Sequence, residues 1–237
     1  MKSNINNFED IMDLLDGFAE GVSWDNFYEH RDRPALFILQ NESPDENLVE
    51  FLAQGIPIQS AIEFGCGEGR NAIYMAQLGV SVTAIDLSST AIENAKTIAE
   101  SKNINITFLC QDALKEGING LYDFAYDSGM FHHLTPHRRL TYIEQIKSIL
   151  KPGGYFGLVC FAWGENCADE VDDLEFYNQR RRVGVAFTKE RLIEFFTPHF
   201  EIVEIRKYRN GVPDTIQGLD FMWTCLFRYI PTLLIIK

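Results

Sequence analysis

A chain of 237 residues with 46% hydrophobic side chains is long enough to bury the core of one sizeable α/β domain with appendages, and cramped for two. Its 34 acidic against 21 basic residues leave a net charge of −13, which opposes binding to a phosphate backbone and argues against a nucleic-acid acceptor. Five cysteines, several in strand-like apolar runs, read as reduced thiols; with no basic-then-apolar leader and no apolar run of about 18 residues, a soluble cytoplasmic protein is expected.

Residues 8–20, FEDIMDLLDGFAE, bring Phe8, Ile11, Met12, Leu15 and Phe18 roughly onto one face of an amphipathic helix. Trp24, Phe27 and Tyr28 then stand among Asp25, Arg31, Asp32 and Arg33, and Ala35 to Leu39 turns apolar. Exposed aromatics are costly, so these rings either pack the segment on the domain or cap a ligand site. The expected division is a helical cap segment over residues 1–43 and the main domain over 44–237. Ser43-Pro44-Asp45-Glu46 opens a helix that runs to Gln54 and ends at Gly55.

Residues 61–87, AIEFGCGEGRNAIYMAQLGVSVTAIDL, read as strand, glycine-rich turn, helix, strand and terminal carboxylate. Gly65, Gly67 and Gly69 alternate through the turn, where glycine lets backbone approach a ligand closely. Ile73, Ala76 and Leu78 recur at helical spacing to face a sheet, and Gly79 stops the helix. Val80 to Ile85 reads as a buried strand. A right-handed crossover between adjacent parallel strands puts Asp86 beside the turn, where a ribose would lie. A dinucleotide fingerprint fits less well, because the third glycine comes one residue early and Arg70 stands where a small residue is needed.

Ser88 caps a helix to Lys102 with Ile92, Ala95 and Ile98 or Ala99 inward, and a strand from Ile104 to Cys110 ends in Gln111-Asp112-Ala113 at the ligand edge of the sheet. A fourth strand, Tyr122 to Asp127, leads into Ser128-Gly129-Met130-Phe131-His132-His133. Asp127, His132, His133 and His137 lie close in sequence, yet adjacent histidines point apart and no second cluster has zinc-like spacing, so no metal is expected. His132 and His133 serve either loop hydrogen bonds or substrate binding and proton transfer; His137, Arg138 and Arg139 open the next helix, either solvated or sharing that work. The helix from Thr141 to Leu150 ends in a turn at Lys151-Pro152-Gly153-Gly154, before a strand from Tyr155 to Phe161. Residues 163–187 form an insertion with acids first (Glu165, Asp169, Glu170, Asp172, Asp173, Glu175) and Arg180, Arg181 and Arg182 last. Thr188 caps a helix to Phe196, and Phe200–Lys207 and Phe221–Tyr229 read as closing strands.

Glu63-x-Gly65-x-Gly67-x-Gly69, the carboxylates at 86 and 112, and Leu150-Lys151-Pro152-Gly153-Gly154 occur in an order that resembles the class I S-adenosylmethionine (SAM)-dependent methyltransferases, over roughly residues 44–230. Residues 65–71, GCGEGRN, and Tyr126-Asp127-Ser128-Gly129 with its following histidine are similar to the small-molecule branch that includes tellurite-resistance and thiopurine-type enzymes. The stretch after strand four departs from the Asn- or Asp-Pro-Pro-aromatic pattern of amino-methylating DNA and protein enzymes. The buried look of the cysteines departs from the arsenic-methylating ones.

The resemblance implies a doubly wound, mostly parallel seven-stranded sheet and SAM as cofactor. Around the glycine turn it assigns Glu63, Gly65, Cys66, Gly67 and Arg70 to the cofactor. From the later strand ends it adds Asp86, Leu87, Asp112, Ala113, Asp127 and Ser128, with Asp112 at the adenine. The implied reaction is in-line methyl transfer to a small-molecule nucleophile, which yields S-adenosylhomocysteine. A soft anion needs no general base, whereas a high-pKa oxygen does, and Asp127, His132 and His133 are the catalytic candidates. The 163–187 insertion leaves the ligand edge and is expected to be a substrate-selecting lid carrying Trp163, Phe176 and Tyr177, with the three arginines either holding an anionic acceptor or balancing the preceding acids. A catalytically idle SAM-binding or partner-binding protein, and a nicotinamide-dependent oxidoreductase, are the alternatives.

Overall fold

Alternating apolar runs form seven strands: β1 Ser60–Phe64, β2 Ser81–Asp86, β3 Thr107–Cys110, β4 Tyr122–Ser128, β5 Leu150–Phe161, β6 Phe200–Lys207 and β7 Met222–Tyr229. The computed structural model describes residues 5–18, 22–30, 42–164, 172–179, 184–210 and 216–231. The strands join in one sheet of order β3-β2-β1-β4-β5-β7-β6, parallel from β3 through β5, with β7 antiparallel between β5 and β6. Central strands are buried on both faces, so residues of β1 and β2 divide between two cores. Ile62, Phe64 and Ile85 pack with Phe131, Tyr142 and Phe156 on one face, while Ala61, Val82 and Ala84 pack with Leu48, Phe51 and Met75 on the other. The strand order reverses between β1 and β4, which opens a crevice at their carboxyl ends.

The described helices are α1 Phe8–Asp16, α2 Trp24–Glu29, α3 Glu46–Ala53, α4 Arg70–Gln77, α5 Ser89–Ser101, α6 Pro136–Ile149, α7 Asp173–Asn178 and α8 Lys189–Phe196. Ser88 and Thr188 cap α5 and α8 as their positions predict, the Oγ atoms accepting from Ala91 N and Arg191 N. Among the described residues no helix is long and apolar enough to cross a membrane.

Several local expectations change. Leu78 is exposed because α4 ends at Gln77, and Ala72, Ile73 and Met75 supply the inward face. The Pro-Gly-Gly segment lies inside β5, where a register shift between Tyr122 and Phe124 absorbs it. Helix α1 exposes Phe8 and Ile11 and buries Met12, and its acids dock it on α6 through Arg138, which bonds Glu9, Asp13 and Asp16. His137, Arg138 and Arg139 are therefore buried and not a solvated helix start. The apolar run Ala35 to Leu39 lies outside the described residues.

Candidate functional site

The turn between β1 and α4 forms the floor of the crevice. Gly65, Gly67 and Gly69 all have left-handed φ, at 61°, 53° and 81°, which side chains other than glycine rarely adopt. Asp86 at the end of β2 faces this turn: its carboxylate accepts from Gly67 N and from Ser88 N, each at 2.8 Å. Burial pushes its pKa up against those two bonds. Glu63 pins the start of α4 by accepting from Ala72 N at 2.8 Å and Asn71 Nδ2 at 3.3 Å, and burial raises its carboxyl to about 8.

Arg70 turns into a buried polar network. Its guanidinium pairs with Asp45 at 2.5 Å, donates to the Ser43 carbonyl and reaches Ser128 Oγ at 3.2 Å. Asp45 is fully buried and also accepts from the Tyr208 and Tyr126 hydroxyls and the Asn71 amide. Burial pushes the Asp45 carboxyl up, but the Arg70 charge and these hydrogen bonds outweigh it and hold the group ionised. This network fixes where the first turn of α4 meets the end of β4.

Above the floor lies a cavity of about 600 Å³. It is lined by Glu63, Gly65, Cys66, Gly67 and Arg70 from the turn region, by Asp86, Leu87, Asp112 and Ala113 from the β2 and β3 ends, and by Ser128, His132 and His133 after β4. These residues, which the resemblance assigns to one site, all line this one cavity. Sequence reasoning missed Gln111, whose Nε2 is buried without a partner among the described residues, and Leu219 and Met222, which enter from the approach to β7. Gln111 had a readable signal, since it sits at the end of β3 beside Asp112; Leu219 and Met222 carry none.

Four expected site residues lie elsewhere. Asp127 is wholly buried and its carboxylate is used up in holding the loop, accepting from Met130 N, Phe131 N and the Tyr142 hydroxyl. Burial raises it to about 7, with those bonds opposing, and it does not line the cavity. Phe176 is buried beneath Arg139, and the Tyr177 hydroxyl bonds His137 Nδ1 at 2.6 Å, because α7 packs on the beginning of α6 and not across the sheet edge. Trp163 is 54% exposed and stands away from the cavity lining. Glu165, Cys167, Asp169, Glu170 and Arg180 to Arg182 fall outside the described residues. Cys66, Cys160 and Cys225 are buried thiols, and Cys110 is an exposed one.

The roof comes from α2, which contributes Trp24, Phe27 and Tyr28 to the cavity. Asp25 anchors that helix to the start of α5 by accepting from Ser88 Oγ at 2.7 Å and Thr90 N at 3.2 Å. On the far wall, His132 stacks on Phe161 with ring centres 3.8 Å apart, and His133 meets Trp24 at 4.8 Å. Burial holds His133 down at about 4 and His132 further below the usual imidazole range, so both rings are neutral at pH 7. Among the described residues no group of three histidine, cysteine or acidic side chains could hold a metal. The polar groups on the other side suit a nucleoside: the Asp86 carboxylate for hydroxyls, and Asp112 and the Gln111 amide, whose Nε2 has no partner among the described residues, for a base edge.

Residues 61–154 match the model of a family described as a methyltransferase domain. Over 120 residues the chain is 28% identical to a 2-heptyl-1-hydroxyquinolin-4(1H)-one methyltransferase of Mycobacteroides abscessus, covering 50% of this chain and 53% of that protein. Over 94 residues it is 32% identical to the probable S-adenosyl-L-methionine-dependent methyltransferase TehB of Haemophilus influenzae, covering 40% of this chain and 33% of that protein. The chain thus spans about half or less of the curated relatives it matches. Its fold is similar to that of the Burkholderia thailandensis 1,6-didemethyltoxoflavin-N1-methyltransferase, with a TM-score of 0.65 at 21% identity over 97% of this chain and 93% of that one.

Proposed function

We propose that the chain, whose residues 61–154 match a methyltransferase domain, is a class I SAM-dependent methyltransferase and that it methylates a small-molecule nucleophile. The observation that carries this reading is one cavity with two unlike ends. At one end Asp86 is locked beside the glycine turn; at the other, two neutral histidines stand among aromatic rings. SAM, when bound, supplies an electrophilic methyl on a sulfonium and leaves as neutral S-adenosylhomocysteine.

What the chain contributes is binding, alignment and exclusion of water. Asp86 would accept hydrogen bonds from ribose hydroxyls, and Gln111 and Asp112 would meet the base; these are charge-assisted or otherwise unsatisfied contacts. Arg70, fixed by Asp45, and Ser128 would meet the polar end of the cofactor's amino-acid portion. Trp24, Phe27 and Phe161 keep water from the reacting atoms, and alignment in such a site can supply up to about 7–11 kcal/mol. His132 and His133 line the cavity and would take up the proton-bearing group of the acceptor, a role that Asp127, engaged by Met130 N, Phe131 N and Tyr142 away from the cavity, does not fill. The acid-rich chain, with its net charge of −13, favours small acceptors over nucleic acid.

The test is a screen of small oxygen, nitrogen and sulfur nucleophiles with SAM, reading release of S-adenosylhomocysteine. Turnover on at least one class, reduced in His133→Ala and His132→Ala more than cofactor affinity is, supports the reading. Cofactor binding with no turnover on any class would make the protein an idle binder and overturn it.

A further inference from the structure

Five rings run in sequence along the acceptor side of the cavity. Phe27 meets Trp24 edge-on at 5.8 Å, Trp24 meets His133 at 4.8 Å, His133 meets His132 at 4.2 Å, and His132 stacks on Phe161 at 3.8 Å. All five line the cavity. The wall is held firmly: Val185 N donates to the His132 carbonyl, and His133 N donates to Met130 O. Aromatic faces and edges of this kind reward a flat ring beyond its buried area, which a saturated molecule of equal size cannot match.

Charge narrows the occupant further. The carboxylates lining the cavity are already engaged: Glu63 with Ala72 N, Asp86 with Gly67 N and Ser88 N, Glu68 with Asn94, and Asp112 with Leu114 N. Among the described residues the one cationic lining side chain is Arg70, and its charge is matched by Asp45 at 2.5 Å. Among the described residues, an anion entering here would lose its hydration and find no free positive charge in return. The Nδ1 atoms of His132 and His133, by contrast, are both buried without a hydrogen-bond partner among the described residues. A neutral imidazole carries one N–H and one bare nitrogen, so an Nδ1 in that position is satisfied by an uncharged polar group of the occupant, such as a hydroxyl, which can both donate and accept.

Resting on the methyl-transfer reading above, we propose that the acceptor is an uncharged, flat aromatic molecule bearing an N–H or O–H group. Its ring lies against the Trp24–His133–His132–Phe161 wall, and its donor pairs with one of the two histidines. Anionic molecules of the same size are refused. His132 and His133 thereby select the acceptor by charge as well as by shape.

Three probes of matched size separate these properties: 1-naphthol, neutral and flat; 1-naphthoate, flat and anionic; and decahydro-1-naphthol, neutral and saturated. Each is titrated into the full chain at about pH 7 by calorimetry, with and without S-adenosylhomocysteine. The proposal expects 1-naphthol to bind at least about tenfold more tightly than either of the others. It also expects Trp24→Leu and His133→Ala to weaken 1-naphthol about tenfold while circular dichroism stays unchanged. Naphthoate binding as tightly as 1-naphthol overturns the charge argument, and decahydro-1-naphthol binding as tightly overturns the ring-wall argument. Undetectable 1-naphthol binding overturns the proposal as a whole. Failure of S-adenosylhomocysteine to bind removes the methyl-transfer reading instead, a separate result read in the same titrations.

Discussion

Tyr28 of α2 sets its hydroxyl directly over Gly67: a Cβ at residue 67 would lie 2.6 Å from Tyr28 Oη, and Tyr28 itself is buried. The roof of the cavity therefore rests on its floor, and the N-terminal segment is part of the site. Asp25 is the peg that holds this roof, through Ser88 Oγ and Thr90 N at the start of α5. Asp25→Ala should loosen α2 without unfolding the sheet. Backbone amides of residues 24–29 are expected to exchange with solvent at least about tenfold faster, while those of β1 and β4 keep their protection. Equal acceleration in the strands would mean that Asp25 supports the whole domain and not the roof alone.

Asp86 should matter more to cofactor affinity than to stability. Its carboxylate holds the backbone of the turn and faces the cavity, so Asp86→Ala removes a charge-assisted acceptor at both. A loss of about 1–3 kcal/mol in S-adenosylhomocysteine affinity is expected by calorimetry. An affinity unchanged within twofold would take Asp86 out of the binding site.

Phe176 tests the reassignment of α7 from acceptor lid to core. It is 4% exposed and packs beneath Arg139 against the beginning of α6. Phe176→Ala should cost about 3–5 kcal/mol in urea unfolding and leave the relative order of acceptors intact. A changed acceptor order with unchanged stability would restore the helix to the site.

The buried imidazoles give stability a defined pH dependence. Burial lowers His133 from 6.5 to about 4 in the fold, so the unfolded chain binds more protons between those values. The contribution of His133 is therefore fully present above pH 6.5 and is lost as pH falls through that window towards 4. His133→Asn removes this titration while leaving Asp127 and Glu63, whose raised pKa values act in the opposite direction, in both proteins. The stability of the wild type relative to the variant should fall by about 2 kcal/mol between pH 7.5 and pH 5 in urea titrations. A difference that stays constant across that range would mean that His133 titrates as it does in water.

The glycine-turn half of the cavity, to which we assign the cofactor, was legible because its information is local. The alternating glycines, the crossover helix and Asp86 lie within one β-α-β unit, and parallel pairing of Glu63 with Ala84 and Phe64 with Ile85 follows from that order. The acceptor half was not. Asp127 looks chemically available in sequence, but its partner Tyr142 arrives from the middle of α6 and closes it off. Phe176 and Tyr177 read as aromatics free to cover a ligand until Arg139 and His137, buried at the start of the same helix, claim them. The docking of α1 through its acids also had no signal in the sequence, because it depends on the buried Arg138 at the start of α6. In each case the deciding partner is distant in sequence and carries no periodic signal.

The central claim, that the glycine turn and Asp86 hold the nucleoside of SAM, is tested most directly by calorimetric titration of S-adenosylhomocysteine into the wild type and Gly67→Val. The account predicts a saturable, one-to-one binding heat for the wild type, none with NADH in its place, and loss of the signal in Gly67→Val, whose branched side chain would occupy the space between the turn and Tyr28. A flat wild-type titration, or a Gly67→Val protein that binds as tightly as the wild type, would contradict it.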